Sequence, residues 1–193
     1  MKTIGCLTSR TCFGTLLWSY SKNFILNQTP LFYFRYSMPS RELIIIRHSY
    51  AEDEVPGQGD KSRPLSQQGI EKLIDVKTQL AHLMPEHVLV SPATRTIQTF
   101  NHLLGTDQFS KMLEHPALYY GSVVDYIECL DALPEDTRRV WLIGHNPMVT
   151  YLGQKICDEF KSGFKPGMAI VLKHNGIWRN VGHVNWELIE IIS

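Results

Sequence analysis

The chain has few of the features that define several large protein classes. Its 193 residues contain only four cysteines, none in a Cys-x-x-Cys pair, and its eight histidines lack the spacings typical of zinc ligands. No apolar run reaches the roughly 18 residues of a membrane span. We therefore expect a protein without a bound metal, a cofactor or a membrane partner, in a reducing, cytoplasmic setting.

Net charge is also missing, because 19 basic residues balance 19 acidic ones. The balance is uneven along the chain: residues 1–37 hold four basic residues and no acidic residue, so the remainder carries a net charge of about −4. An acidic body without a basic stripe argues against general nucleic-acid binding.

Residues 1–37 have two interpretations. Basic, acid-poor segments are typical of targeting extensions, but the apolar part from Cys12 to Trp18 is short and no small-residue cleavage site is clear. We therefore favour Met38 as the true start and expect disorder or loose packing upstream of it. Residues 38–193 form the predicted domain, and their length suits one sizeable core.

A short apolar run is the most informative feature of that domain. Leu43–Ile46 is entirely apolar and rich in isoleucine, and it ends abruptly in Arg47 and His48. Such runs are typical of strands buried on both faces of a parallel sheet, where ligands bind beyond the carboxyl ends of the strands. This position predicts a chemical role for Arg47 and His48.

The same pattern occurs twice more. His87–Val90 is followed by a helix-start signal and Arg95, and Val140–Gly144 is followed directly by His145. Ser91 and Asn146 are good helix N-cap residues and the prolines after them suit a first helical position. Two arginines, two histidines and exposed helix N–H groups together predict an anion site, most simply a phosphoryl site.

Each of these residues also has an ordinary structural interpretation. A histidine after an apolar strand is more often a hydrogen-bonded loop residue than a catalyst, and an arginine in the first turn of a helix is usually solvated. The joint occurrence of four such side chains at predicted strand ends favours the functional interpretation.

Four sequence blocks resemble, in order, those of the histidine phosphatase superfamily, and the nearest branch looks like the short SixA-type phosphohistidine phosphatases. The blocks are Ile45–Ser49, Arg63–Ser66, Ser91–Thr99 and Ile143–Pro147. The resemblance extends from about Met38 to the end of the chain. It implies a phosphoglycerate mutase-like fold and a phosphatase that works without a metal.

The resemblance also implies roles for individual residues. His48 would be the nucleophile that takes the phosphoryl group, while Arg47, Arg95 and a protonated His145 would hold its oxygens. Arg63 matches an arginine at or near the same pocket. Ser49 replaces the glycine or alanine that usually follows the nucleophile, and its hydroxyl could donate to the phosphate.

The general acid of the larger superfamily members has no clear counterpart. Their glutamate falls in the region Leu113–Gly121, where Ala117 holds its expected place and Glu114 is the only carboxylate. We interpret Glu114 as an exposed residue at a strand end. Acidic residues in the loop after His48 could supply a proton instead, namely Glu52, Asp53 and Asp60.

Loss of the acid has a consequence for the substrate. An alkoxide needs a proton donor to leave, whereas the imidazole of a phosphohistidine is readily protonated on its own ring. The sequence therefore predicts a phosphohistidine phosphatase acting on a protein. The alternatives are a small-molecule phosphomonoesterase of the same superfamily and a weakly active phosphate-binding signalling module.

Alternating strand and helix patterns set the expected fold. A helix after Ser66 places apolar residues at helical intervals, and three later helices do the same around Ile97, Ile127 and Leu152. Residues 168–172 and 184–192 form two final predicted strands. This alternation predicts a three-layer α/β/α sandwich with a mostly parallel central sheet.

Overall fold

The structure is a computed structural model, and it describes residues 40–193. The predictions made for residues 1–37, and the placement of the domain boundary at Met38, therefore fall outside the described residues.

One six-stranded sheet organises the described part of the chain. Its order is β3-β2-β4-β1-β5-β6, in which β1 to β4 run parallel and β5 is antiparallel to both of its neighbours. The sheet is therefore mostly parallel, as predicted. The strands are β1 Ser40–Arg47, β2 His87–Val90, β3 Met112–Glu114, β4 Arg139–Gly144, β5 Ala169–Asn175 and β6 Glu187–Ile192.

The position of β1 in the sheet explains its apolar run Leu43–Ile46. It lies between β4 and β5, and all four residues of Leu43–Ile46 are completely buried. Successive side chains of a strand point to opposite faces, so Leu43 and Ile45 join one hydrophobic core while Ile44 and Ile46 join the other. Where both faces of a strand are covered, apolar side chains are favoured at every position, as in Leu43–Ile46.

Helices cover both faces of the sheet. Buried residues of α1 and α2 share one core, and buried residues of α4 and α5 share the other. This confirms the three-layer α/β/α sandwich. No helix within residues 40–193 is long and apolar enough to cross a membrane. The helices are α1 Gln67–Leu80, α2 Thr94–Leu104, α3 Ala117–Tyr120, α4 Val123–Asp131 and α5 Met148–Ile156.

The predicted helix starts are right for α1 and wrong for α2 and α5. Ser66 caps α1, since its hydroxyl accepts from the Gly69 N–H at 3.2 Å. Helix α2 instead begins after Ala93, and α5 begins after Pro147. The side chains of Ser91 and Asn146 make other hydrogen bonds, which are described below.

Three parallel strands end at the same edge of the sheet. Arg47 pairs with Gly144, and Val90 pairs with Ile143. Beyond these pairs the His48 N–H donates to the Gly144 carbonyl at 3.1 Å. This register places the segments that follow β1, β4 and β2 side by side, with the segment after β4 in the middle.

Candidate active site

His48 is held in one tautomer by its own backbone neighbour. Its Nδ1 lies 2.7 Å from the Ser49 carbonyl oxygen, which can only accept a hydrogen bond. Nδ1 must therefore carry the proton, and Nε2 keeps its lone pair. Arg95 Nε donates to this Nε2 at 3.3 Å, which agrees with the same tautomer. The unprotonated Nε2 of His48, which is the nucleophilic nitrogen, therefore faces the Arg95 guanidinium at the end of β1.

The pKa of His48 is lowered to about 4. Burial is the largest cause, and the positive charges of Arg95, Arg47 and Arg63 add to it, while the hydrogen bond to Ser49 acts in the opposite direction. The imidazole is therefore neutral at physiological pH, which is the form that can attack phosphorus.

This environment predicts an unusual titration. His48 should stay neutral as the pH falls through 6.5 and gain a proton only near pH 4, because the folded protein disfavours its charged form. The measurement is an NMR titration of the histidine ring signals, assigned by comparison with His48→Ala. A midpoint near 6.5 would contradict the described burial.

Arg95 connects the end of β2 to the nucleophile. It is the second residue of α2, and only 6% of it is exposed. Side chains in a helix lean toward its N-terminus, which brings the guanidinium to the edge where β1 and β4 end. Besides its contact with His48, Arg95 donates from Nη1 to the Asp60 carbonyl at 2.7 Å and from Nη2 to Asp60 Oδ2 at 2.8 Å.

His145 stands beside His48. Their ring centroids are 5.0 Å apart, and Ser91 Oγ lies 2.7 Å from His145 Nε2. Burial lowers the pKa of His145 to about 3, and the positive charges of Arg95 and Arg47 lower it further. Without a bound anion a buried imidazole among cations is neutral, so the protonated His145 expected from the sequence stays a prediction for the phosphoryl-bound site.

Arg47 is fixed by a carbonyl group at the start of the segment that leads into β5. Its Nη1 donates to the Phe164 carbonyl at 2.8 Å, and Asn146 Nδ2 donates to the same oxygen at 3.0 Å. Thr150 Oγ1 donates to Asn146 Oδ1 at 2.8 Å, which orients the amide. Arg47 Nε is buried and has no hydrogen-bond partner among the described residues. Burial lowers the pKa of Arg47.

Asp60 forms the outer side of the site. Its carboxylate accepts from Arg95, from Arg63 Nη1 at 2.8 Å and from the Tyr119 hydroxyl at 2.9 Å. These donors hold the pKa of Asp60 at about 2, although its partial burial acts in the opposite direction. Arg63, predicted at or near the pocket, therefore reaches the site through Asp60.

Tyr119 is a site residue that the sequence interpretation missed. Its ring lies edge-on to His145 with centroids 5.5 Å apart, and Arg95 Cζ is 6.0 Å from its ring centroid. The sequence argument about Leu113–Gly121 concerns carboxylates, because the glutamate of larger superfamily members falls in this segment. The only sequence feature that could indicate a role for Tyr119 is that it is an aromatic residue in this segment.

The side chains of the remaining candidates make no hydrogen bond to the site residues described above. Ser49 is completely buried, and its hydroxyl has no hydrogen-bond partner among the described residues. Glu52 and Asp53 are exposed, and Glu114 ends β3 and lines a groove between β3 and α4. Of the four acid candidates, only Asp60 contacts the predicted site residues through its carboxylate, since Glu52 reaches Arg63 only with its backbone carbonyl, at 2.8 Å. The low pKa of Asp60 makes it a poor proton donor in this arrangement.

The described residues also bear on metal binding. Between Ser40 and Ser193 no group of three or more His, Cys, Asp or Glu side chains has a geometry that could hold a metal ion. The positive charge at the site comes from arginine side chains, which suit phosphate because their planar forks donate two parallel hydrogen bonds.

Comparison with known proteins agrees with the resemblance seen in the motifs. Residues 43–119 match the sequence model of the histidine phosphatase superfamily (branch 1). That stretch includes Arg47, His48, Arg63, Arg95 and Tyr119, and it ends before His145. No curated protein sequence matches the chain. The predicted resemblance to this superfamily is therefore confirmed over residues 43–119.

Solved structures resemble the fold over most of the chain. A candidate phosphohistidine phosphatase SixA from Nakamurella multipartitia has a TM-score of 0.71 at 24% identity, covering 80% of this chain and 96% of that one. The protein histidine phosphatase SixA complexed with tungstate has a TM-score of 0.67 at 25% identity, covering 79% and 96%.

A more distant structure extends the likeness to the wider fold. The phosphoglycerate mutase of Bacillus anthracis has a TM-score of 0.52 at 12% identity, covering 79% of this chain and 93% of that one. The fold is phosphoglycerate mutase-like, as predicted, and the matches together support a phosphatase with a phosphorylated substrate.

Proposed function

We propose that this protein hydrolyses phosphoryl groups through a phosphohistidine formed on His48. The observation that carries the proposal is the tautomer of His48, whose Nδ1–H is committed to the Ser49 carbonyl and whose Nε2 lone pair faces Arg95. A neutral, oriented imidazole is a competent nucleophile for phosphorus. A histidine with only a structural role would not need an unprotonated nitrogen beside a guanidinium.

The reaction has two displacements. In the first, Nε2 of His48 forms a bond to phosphorus while the P–N bond to the substrate imidazole breaks. That imidazole is protonated on its own ring beforehand, so it departs as a neutral molecule. In the second, water attacks the phosphohistidine, phosphate is released and His48 recovers its lone pair. Dividing one difficult displacement into two easier ones is the advantage of covalent catalysis.

The surrounding side chains would stabilise charge on the transferred group. Arg95 and Arg47 supply guanidinium donors, and the buried Arg47 Nε and His145 Nδ1 have no protein partner among the described residues. Buried polar atoms without a partner cost free energy that an oxyanion would offset. A dianion beside His145 would also favour its protonated form, so we propose that His145 gains its charge only when the phosphoryl group binds.

Phosphohistidine is the substrate that this chemistry suits best. Asp60 is the only carboxylate that contacts the candidate residues within residues 40–193, and it is held ionised by Arg95, Arg63 and Tyr119. A site without a protonated carboxyl gives little help to a departing alkoxide, whereas a protonated imidazole leaves as a neutral molecule. We propose that arginine side chains provide the cationic charge and that no metal takes part.

The test compares leaving groups on the same enzyme. We expect kcat/KM for a phosphohistidine peptide or for phosphoramidate to exceed that for glycerol phosphate by about a hundredfold or more, the usual contribution of a general acid. His48→Ala protein, purified in the same way, controls for contaminating phosphatases.

Two other results would favour the alternatives. Comparable kcat/KM on glycerol phosphate would indicate a small-molecule phosphomonoesterase and would contradict the leaving-group argument. Phosphate binding without turnover of either kind of substrate would indicate a phosphate-binding signalling module.

A further inference from the structure

The contacts of Asp60 point to a role other than proton donation. Arg95 presents Nε and Nη2 on one edge of its guanidinium, the edge that commonly binds two oxygens of one anion. Here Nε donates to His48 Nε2 and Nη2 donates to Asp60 Oδ2 at 2.8 Å. A carboxylate oxygen therefore stands on the edge of Arg95 that faces the nucleophile.

The other arm of the guanidinium is occupied as well. Nη1 donates to the backbone carbonyl of Asp60 at 2.7 Å, so one residue accepts from both terminal nitrogens of Arg95. Since Arg95 is almost fully buried, water has little access to it. A phosphoryl oxygen that is to bind Arg95 beside His48 must compete with Asp60 for the same edge.

Asp60 lies at the end of a loosely packed segment. It follows Gly57 and Gly59, which have φ values of +88° and +73°, and a methyl group added at either glycine would meet no atom within 4 Å. The Asp60 side chain is 40% exposed, while its Oδ1 is held by Arg63, which is 28% exposed. Little packing thus opposes a movement of this carboxylate away from Arg95, and Arg63 can retain it on the outer side.

We propose that Asp60 is an internal anion that competes with phosphate for Arg95 and so sets the anion affinity of the site. The carboxylate holds Arg95 in place before the phosphoryl group arrives and gives up the Nη2 donor when it binds. After hydrolysis the return of Asp60 favours release of inorganic phosphate. The inference rests on the proposed function only in taking Arg95 as a phosphate ligand.

The test measures binding of inorganic phosphate by titration calorimetry, without turnover. Asp60→Asn keeps the shape of the side chain and removes its charge. We expect it to bind phosphate about three- to fivefold more tightly, a change in the range measured for exposed ion pairs. Weaker or unchanged binding would overturn the proposal. If the Asp60 carboxylate only orients Arg95, its removal should weaken phosphate binding or leave it unchanged.

Two further variants test whether phosphate affinity depends on the position of the Asp60 carboxylate or only on the net charge of the protein. Asp53→Asn makes the same change of charge in the same loop at an exposed residue, and should alter the phosphate affinity less than about twofold. Tyr119→Phe removes one donor from Asp60 and should tighten phosphate binding in the same direction as Asp60→Asn, by a smaller factor. Equal effects of Asp53→Asn and Asp60→Asn would mean that only the net charge matters, which contradicts the proposal.

Arg95→Ala distinguishes failure of this inference from failure of the proposed function. If Arg95→Ala leaves phosphate binding unchanged, Arg95 is not a phosphate ligand and the proposed site itself is wrong. If Arg95→Ala weakens binding but Asp60→Asn does not strengthen it, only the competing role of Asp60 is wrong.

Discussion

Replacing His48 by alanine is expected to lower kcat/KM on a phosphohistidine peptide by about a thousandfold or more. The variant removes the atom that forms the covalent intermediate, and loss of a nucleophile typically costs several orders of magnitude. The fold should survive, because the ring lies beyond the last residue of β1 and the core of that strand is formed by Leu43–Ile46. Steady-state kinetics together with a thermal melt would measure both effects.

His82→Ala is the matched control for this variant. His82 is exposed in the turn after α1, so its removal tests the purification and the assay without touching the site. We expect His82→Ala to retain the parent kcat/KM within a factor of about two, as is usual for surface substitutions. A His48→Ala protein with more than a tenth of the parent activity would exclude His48 as the nucleophile.

Arg95 is expected to show the second-largest effect. Arg95→Lys retains the positive charge but replaces a planar fork with an ammonium group. Its three donors project from one nitrogen atom and cannot reproduce the spacing of the three guanidinium nitrogens that contact His48 and Asp60. We expect kcat to fall by about a hundred- to a thousandfold, the range found for removing one preorganised donor to a developing charge. Kinetics with the phosphohistidine peptide measures the change.

Arg138→Lys provides the corresponding control. Arg138 is exposed and precedes β4, so it lies at the opposite edge of the sheet from His145. The same chemical change there should leave kcat unchanged. If Arg95→Lys were as active as Arg138→Lys, charge alone would suffice and the hydrogen-bond geometry assigned to Arg95 would be unnecessary.

The central strands β1, β2 and β4 could be predicted because they are buried on both faces. Leu43–Ile46 and the apolar parts of β2 and β4 have no polar residue at any interior position, and this pattern fits only covered strands. Strand β3 is short, and its exposed Leu113 gives it no such pattern. The sequence therefore indicates β3 only through the interpretation of Glu114 as a residue at a strand end.

The central groups of the site could be predicted for a related reason. Parallel strands end at one edge of the sheet, so residues that directly follow β1, β4 and β2 must come together. That argument brings His48 next to His145 and Arg95 near both, as observed. It depends only on the parallel direction of these strands, because all three then end on the same side of the sheet.

The outer part of the site could not be predicted in this way. Asp60 follows a loop with two glycines at positive φ, and Tyr119 belongs to a four-residue helix. Their contact at 2.9 Å joins segments 59 residues apart, and no periodicity in the sequence signals it. The use of Ser91 as a partner of His145, instead of as a helix cap, likewise depends on the tertiary arrangement.

The most direct test is chemical trapping of the phosphorylated protein. After brief incubation with a phosphohistidine donor and rapid quenching in base, peptide mass spectrometry should locate one phosphoryl group on His48. The label should be acid-labile and base-stable, and it should be absent from His48→Ala. A phosphoryl group on another residue, or undiminished labelling of His48→Ala, would contradict the assignment of His48 as the nucleophile.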